Sequence, residues 1–215
     1  MNYCDPKFAE LLTGFDLDTL DRHGCVVWGM WSDGRLACFN EAWRTFASKN
    51  NGEPAISEKW GLGAPVFEAI GGVLRQCYVE AFRRCLDRGE PWEHLFQCCS
   101  VELYREYRMT AYPLVEGRGV LVVNSLVVER PHDPPTRPSR VPDENAYYDE
   151  THIMHQCGHC RRMRRADGSD TWDWIPQWVE HSPAHTSHAL CPLCAGYYYP
   201  FLHEEDAADR LLELR

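Results

Sequence analysis

The sequence predicts an α+β domain, with one antiparallel sheet and helices on one face, followed by a second, smaller module. Two strand-like segments come first, then helices, then three strands, which is an α+β arrangement. A proline-rich stretch and two pairs of cysteines follow, and 215 residues suffice for one domain plus a small module. We therefore divide the chain into an N-terminal helical lead (1–22), a sheet domain (23–129), a proline-rich linker (130–146), a four-cysteine module (147–202) and an acidic C-terminal tail (203–215).

The N-terminal lead is expected to form one or two short helices. Asp5 before Pro6 is a good pair for an N-cap and a first helical turn. Such a helix either covers its own domain or packs against a second copy of the protein, and both options stay open. Three apolar residues recur at helical spacing: Phe8, Leu11 and Leu12.

A β-hairpin begins the sheet domain. Residues 25–31 and 36–39 are rich in β-branched and aromatic side chains, and residues 32–35 supply a turn between them. Asn40 follows directly, and its side chain can cap a helix that begins at Glu41.

A long helix and three strands complete the sheet domain. Apolar residues recur on one face of residues 66–88, and Gly89 is a fitting stop. The alternation of side chains then predicts three strands, over residues 92–99, 104–114 and 120–128.

Several short motifs lie within these elements. Asp33-Gly34 stands at the hairpin turn, Asn40-x-Ala42 opens a helix, and the closing strands carry Arg-x-Tyr-Arg-Met at 105–109 and Pro-Leu at 113–114. Together with the order of elements, they resemble the PAS sensory domain over about residues 20–129. The resemblance implies a PAS-like five-stranded antiparallel sheet that cups an apolar pocket for a cofactor or small molecule, often in a homodimer. A PAS fold with a filled core that binds only a partner protein stays open.

The ligand of such a pocket cannot be read from the residues. The Asn-Cys-Arg-Phe stretch of the light-sensing flavin subfamily is absent, which argues against flavin thioether chemistry. Haem is an alternative, with His23 and His94 as candidate axial ligands, although a lone histidine is more often a hydrogen-bonded polar residue. The covalent haem motif is absent because Arg161 follows Cys160.

Prolines crowd the linker, and they favour a stiff, extended chain that excludes helix and central strand. The linker therefore separates the sheet domain from the module behind it. The prolines are at positions 131, 134, 135, 138 and 142.

Two C-x-x-C pairs, Cys157/Cys160 and Cys191/Cys194, predict a structural zinc site. Each pair forms a tight turn, and two such turns offer the tetrahedral thiolate cage that zinc prefers. The alternatives are four buried free cysteines or a thiol redox switch. Pro192 suits the first turn of a helix, so knuckle, hairpin, knuckle and helix give a treble-clef-like layout. So few residues cannot bury enough surface unaided, and the module should be disordered without metal.

The module also resembles a cysteine-rich tail found behind bacterial PAS and response-regulator domains. The shared pattern is Cys-x-x-Cys, a basic run, tryptophans, Ser-His-x-Leu-Cys-Pro-x-Cys and a final Tyr-Pro, over about residues 153–200. The resemblance implies a signalling role. His159 and His188 could replace a cysteine ligand, but four cysteines already satisfy zinc, so His188 is expected to donate a hydrogen bond near the site.

A run of arginines follows the first cysteine pair and has two interpretations. It balances the formal charge of −2 that four thiolates leave on zinc, or it binds nucleic acid with the nearby tryptophans stacking on bases. We favour charge balance. The run comprises Arg161, Arg162, Arg164 and Arg165.

The composition limits the classes of function. A net charge of −10 argues against a surface that grips nucleic acid throughout. No apolar run is long enough for a membrane span, and no signal peptide is evident, so we expect a cytoplasmic protein. Seven further cysteines are expected to be small buried hydrophobes, not disulfides. They stand at positions 4, 25, 38, 77, 85, 98 and 99.

These observations together predict a bacterial-type signalling regulator. A PAS-like sensor over residues 23–129 detects a ligand or partner, and the zinc module contacts a downstream protein. A homodimer is expected through the sensor and the N-terminal helix. No catalytic dyad, phosphate-binding glycine loop or open metal site is visible, so we do not expect an enzyme. The alternatives are a nucleic-acid-binding transcriptional regulator and a thiol redox switch.

Overall fold

The computed structural model describes residues 1, 3–50 and 52–200, which form two compact units. Among the described residues, unit 1 comprises Met1–Leu95 and Tyr107–Val128, and unit 2 comprises Phe96–Glu106 and residues 129–200. The acidic helix expected at 203–215 lies outside the described residues. Within the described ranges, no helix combines the length and hydrophobicity that a membrane crossing requires.

Two strands, then helices, then three strands follow the short N-terminal elements, as the sequence predicts. The strands form one sheet in the order β1-β3-β2-β6-β5-β4, in which β2 pairs antiparallel with both β3 and β6. In chain order the elements are β1 (Tyr3–Cys4), α1 (Pro6–Ala9), α2 (Leu17–Arg22), β2 (Val26–Trp31), β3 (Leu36–Phe39), α3 (Glu41–Lys49), α4 (Ala55–Lys59), α5 (Gly72–Arg88), β4 (Trp92–Gln97), β5 (Leu103–Pro113) and β6 (Gly119–Pro131).

The prediction of five strands is wrong, because the sheet has six. The additional strand, β1, pairs antiparallel with β3, with Tyr3 opposite Phe39 and Cys4 opposite Cys38. The rings of Tyr3 and Phe39 stack at 4.9 Å between centroids. A strand of two residues has no alternating pattern to detect, so the sequence gives no signal for it.

The long helix is shorter than predicted. Residues Val66–Ala69 form a separate 3₁₀ turn, and α5 begins at Gly72 after Gly71, which has an extended backbone. The helix ends where predicted, at Gly89, whose φ of 66° is the left-handed conformation that glycine adopts without strain.

The N-terminal lead packs against its own sheet. Phe8 is fully buried in a cluster with Leu11, Leu12 and sheet residues that include Val27 and Leu121. Gly29 of β2 makes room for the Phe8 ring, because a Cβ at Gly29 would lie only 2.6 Å from it. The apolar face of this segment is therefore covered within unit 1.

Asn40 connects the hairpin to helix α3 and is fully buried. Its side-chain oxygen accepts from the backbone N–H of Trp43, which is the predicted cap, and from that of Val27. Its amide nitrogen donates to three carbonyl oxygens, those of Leu20, His23 and Cys25. The one side chain thus satisfies the start of a helix and the segment that leads into β2.

Replacing Asn40 with Ala should lower the free energy of unfolding by about 1 to 2 kcal/mol, because buried backbone groups lose their partner. Urea unfolding of the full chain, followed by circular dichroism, measures the change. Asn145→Ala is a control on an exposed side chain and should have little effect. A loss no larger than that of the control would contradict the structural role of Asn40.

Unit 2 contains a small sheet with the strand order β10-β7-β8-β9. Strands β10 and β7 pair parallel, with Ala189 opposite Cys157. The buried core of the unit includes Tyr147, Met154 and Trp178. The elements are β7 (Met154–Cys157), β8 (Met163–Arg164), β9 (Trp172–Asp173), α6 (Gln177–Glu180), β10 (Thr186–Ala189) and α7 (Pro192–Tyr198).

Residues 130–146 differ from an extended linker. They belong to unit 2 and contain two 3₁₀ turns, Pro134–Thr136 and Glu144–Ala146. Arg137 is buried among them. Proline fixes φ near the helical value, so a first-turn position such as Pro134 is compatible with a 3₁₀ turn.

Candidate metal centre

The four cysteines of the two C-x-x-C pairs come together in unit 2. Their sulfur atoms all lie within 4.8 Å of one another, and each residue is at most 4% exposed. The other candidate ligands from the sequence, His159 and His188, are not part of this group. The residues are Cys157, Cys160, Cys191 and Cys194.

The first pair sits on a tight turn at the end of β7. The backbone N–H of Arg161 donates to the carbonyl of Cys157 at 3.0 Å. The backbone N–H of Cys157 in turn donates to the carbonyl of Arg162 at 2.8 Å. Arg161 takes a φ of 63° to close the turn. This closure directs the Cys157 and Cys160 side chains into the same space.

The second pair straddles the start of α7, with Pro192 at the first turn as predicted. Cys191 is the N-cap of the helix, and its sulfur accepts from the backbone N–H of Cys194 at 3.5 Å. The parallel pairing of β10 with β7 brings this helix start beside the first turn, where the N–H of Gly158 donates to the Ala189 carbonyl.

The cluster fits a tetrahedral metal ion bound by sulfur. Zinc–sulfur bonds of about 2.3 Å imply sulfur–sulfur distances of about 3.8 Å, and the sulfurs of Cys160 and Cys191 are 3.6 Å apart. The backbone N–H of Cys191 donates to the Cys157 sulfur at 3.4 Å, which stabilises a thiolate. The four residues could therefore hold a metal ion.

His159 supports the cluster from outside. Its Nδ1 lies 3.1 Å from the Gln97 carbonyl, which only accepts, so Nδ1 carries the proton and Nε2 accepts from the Tyr199 hydroxyl at 3.1 Å. Burial lowers the pKa of His159, which fits this neutral form. Both ring nitrogens are thus engaged away from the four sulfurs.

Gln97 also reaches the cluster through its side chain, which is buried between Cys194 and Cys99. The Oε1 atom lies 3.9 Å from the Cys194 sulfur, and Nε2 lies 2.7 Å from that of Cys99. A metal-bound thiolate only accepts, so an amide turned by 180° would donate to Cys194 and accept from the Cys99 thiol. The tip of the β4–β5 hairpin therefore contributes polar groups to the site.

Arg137 is a buried cation at the cluster that the sequence did not predict. It is 8% exposed, donates from Nη2 to the Cys160 carbonyl, and lies over the Trp174 ring at 3.7 Å. Its Nη1 also lies 3.3 Å from His132 Nδ1, an acceptor because Nε2 donates to the Ser100 carbonyl. Burial lowers the pKa of Arg137. An arginine among prolines offers no pattern from which this position could be inferred.

The arginine run does not act as a single group. Arg165 pairs with Asp173 at 2.5 Å and also approaches Asp167, so its charge is balanced within β9 and the preceding turn. Arg162 donates to the Thr136 carbonyl, and Arg161 lies 3.4 Å from Nε2 of His188. Of the three tryptophans that follow the run, Trp174 and Trp178 are buried and Trp172 is partly exposed.

The two histidines considered for haem lie in unit 1 and make ordinary polar or aromatic contacts. His23 accepts through Nδ1 from the backbone N–H of Cys25 at 3.1 Å. The ring of His94 stacks on Trp92 and meets the Tyr78 ring edge-on.

Two solved structures are similar to part of the chain at low sequence identity. No family model and no curated protein matches the chain. The PAS domain from Bordetella pertussis BvgS is similar over 59% of this chain and 90% of its own, with 14% identity and a TM-score of 0.41. A domain of an HTR-like protein from Haloarcula marismortui ATCC 43049 is similar over 49% of this chain and 100% of its own, with 12% identity and a TM-score of 0.36.

Proposed function

We propose that the chain is a regulatory protein of signal transduction. Unit 1 is a PAS-like sensor for a small molecule or a protein partner, and unit 2 is a treble-clef-like module built around a structural zinc ion. The module binds a downstream protein, and the sensor forms a homodimer. The order of elements in unit 1, two strands, helices and three strands, supports the first assignment.

The cluster of four buried cysteine sulfurs is the observation that carries the proposal. A zinc ion bound by four cysteines has no open position for water or substrate, so it organises a surface and does not catalyse. The burial of all four cysteines agrees with this structural role. The nucleic-acid alternative needs exposed rings for base stacking, and of the three tryptophans near the arginine run only Trp172 is partly exposed, which weighs against it.

Native mass spectrometry of the full chain, purified without chelator, tests the proposal together with an absorption spectrum. We expect one zinc per chain, a dimer, and no colour from iron, which also binds four thiolates. Cys160→Ala should lose the metal, whereas Cys99→Ala, a buried thiol beside the cluster, should keep it. A folded chain without metal, or a catalytic turnover that depends on the metal, would refute this account.

A further inference from the structure

A cavity of about 340 Å³ opens in unit 2 beside the four-cysteine cluster, and Cys160 and Cys194 form part of its wall. Three arginines line it, whereas its only acidic lining residue is Asp133. Apart from the cysteine thiolates, three arginines against one aspartate give the lining a formal charge of +2, whereas the chain as a whole carries −10. The arginines are Arg130, Arg137 and Arg162.

The arginines that line the cavity keep unused hydrogen-bond donors. Among the described residues, Arg137 Nε is buried without a hydrogen-bond partner. Arg162 uses Nη2 on the Thr136 carbonyl, and Arg130 lies over the Tyr104 ring at 4.7 Å. No salt bridge joins these three arginines to a carboxylate in the part of the chain that the structure describes. Guanidinium groups without carboxylate partners are the donors that bind oxyanions.

Part of the cavity lining is apolar and exposed. Leu193 and Tyr197 of α7 line it and are 70% and 64% exposed, although both are large hydrophobic residues. The volume is at the lower end of the range for small-molecule sites, about 300 to 1,000 Å³. A matching ligand therefore carries a charged oxyanion on a small apolar body.

We propose that this cavity binds a small organic anion, with its oxyanion on Arg130 and Arg162 and its apolar part against Leu193 and Tyr197. The site lies outside the sensor unit, so the module takes a ligand of its own. This inference goes beyond the function proposed above. If the cavity bound no anion, the proposals of a structural metal site and of a protein partner would still stand.

Isothermal titration of the metal-loaded full chain with three probes tests the site. Phenyl phosphate and benzoate compare the two oxyanions, and benzyl alcohol is the neutral control. We expect saturable binding of one anion per chain and none of the alcohol. Arg162→Gln and Arg130→Gln should each weaken anion binding by about tenfold or more, because each removes a charge-assisted hydrogen bond.

Arg164→Gln is the matched control, since Arg164 belongs to the same run but does not line the cavity. Binding to this variant should equal binding to the wild type. An equal loss in Arg164→Gln would indicate general charge attraction and overturn the proposal. The proposal would also be overturned if benzyl alcohol bound as tightly as the anions, or if neither anion showed saturable binding.

Discussion

Chelation of the metal from the full chain should unfold the module in unit 2 and leave the sheet of unit 1 intact. Strands β8 and β9 have two residues each, and the buried cluster of the module is small. Structural zinc contributes about 10 to 16 kcal/mol of binding free energy in small modules. That amount is comparable with the whole stability of an ordinary domain, about 5 to 15 kcal/mol, so the module should not survive its loss.

Hydrogen exchange with mass spectrometry measures this result directly. After chelation, peptides covering residues 154–198 should lose protection, whereas peptides covering β2 should keep it. Cys160→Ala should reproduce the effect without chelator, because it removes one of the four sulfurs of the cluster. The backbone carbonyl of residue 160 remains in the variant and can still accept the hydrogen bond from Arg137. Cys85→Ala removes a buried thiol of unit 1 and is the control. Full protection of residues 154–198 in the chelated chain would exclude a structural metal.

Local patterns explain why much of the fold could be predicted. Side-chain alternation located the strands of unit 1 within a few residues, and Asn40 and Gly89 marked helix ends through their own chemistry. The two C-x-x-C pairs likewise contain the turn that brings each pair together, so the four-sulfur cluster followed from their spacing.

Contacts between distant segments explain what could not be predicted. Gln97 and His159 are 62 residues apart, and nothing near either residue indicates that they meet. Arg137 lies among prolines that suggest an extended chain, yet its position depends on Trp174 and the Cys160 carbonyl. The sequence therefore identifies the four cysteines of the cluster but not the groups that surround them, because those are selected by tertiary packing.

Arg137→Met should weaken unit 2 by about 3 kcal/mol and lower its affinity for the metal. The substitution removes a charge-assisted hydrogen bond, about 1.5 to 3 kcal/mol, and a desolvated cation–π contact, about 2 kcal/mol, and methionine restores part of the packing. It also removes the buried cation at a site that would carry a formal charge of −2 with zinc bound, so the metal complex loses more than the apo chain.

Urea unfolding and competition with a metal-binding dye measure the two effects. Arg137→Lys should lie between the wild type and Arg137→Met, because lysine keeps the charge but cannot donate in the fork of a guanidinium. Arg140→Met is the matched control: its side chain is 57% exposed and lies 3.6 Å from Asp173, so little change is expected. If Arg137→Met bound metal as tightly as Arg140→Met, the charge of the cluster would be balanced elsewhere, and Arg137 would contribute only packing.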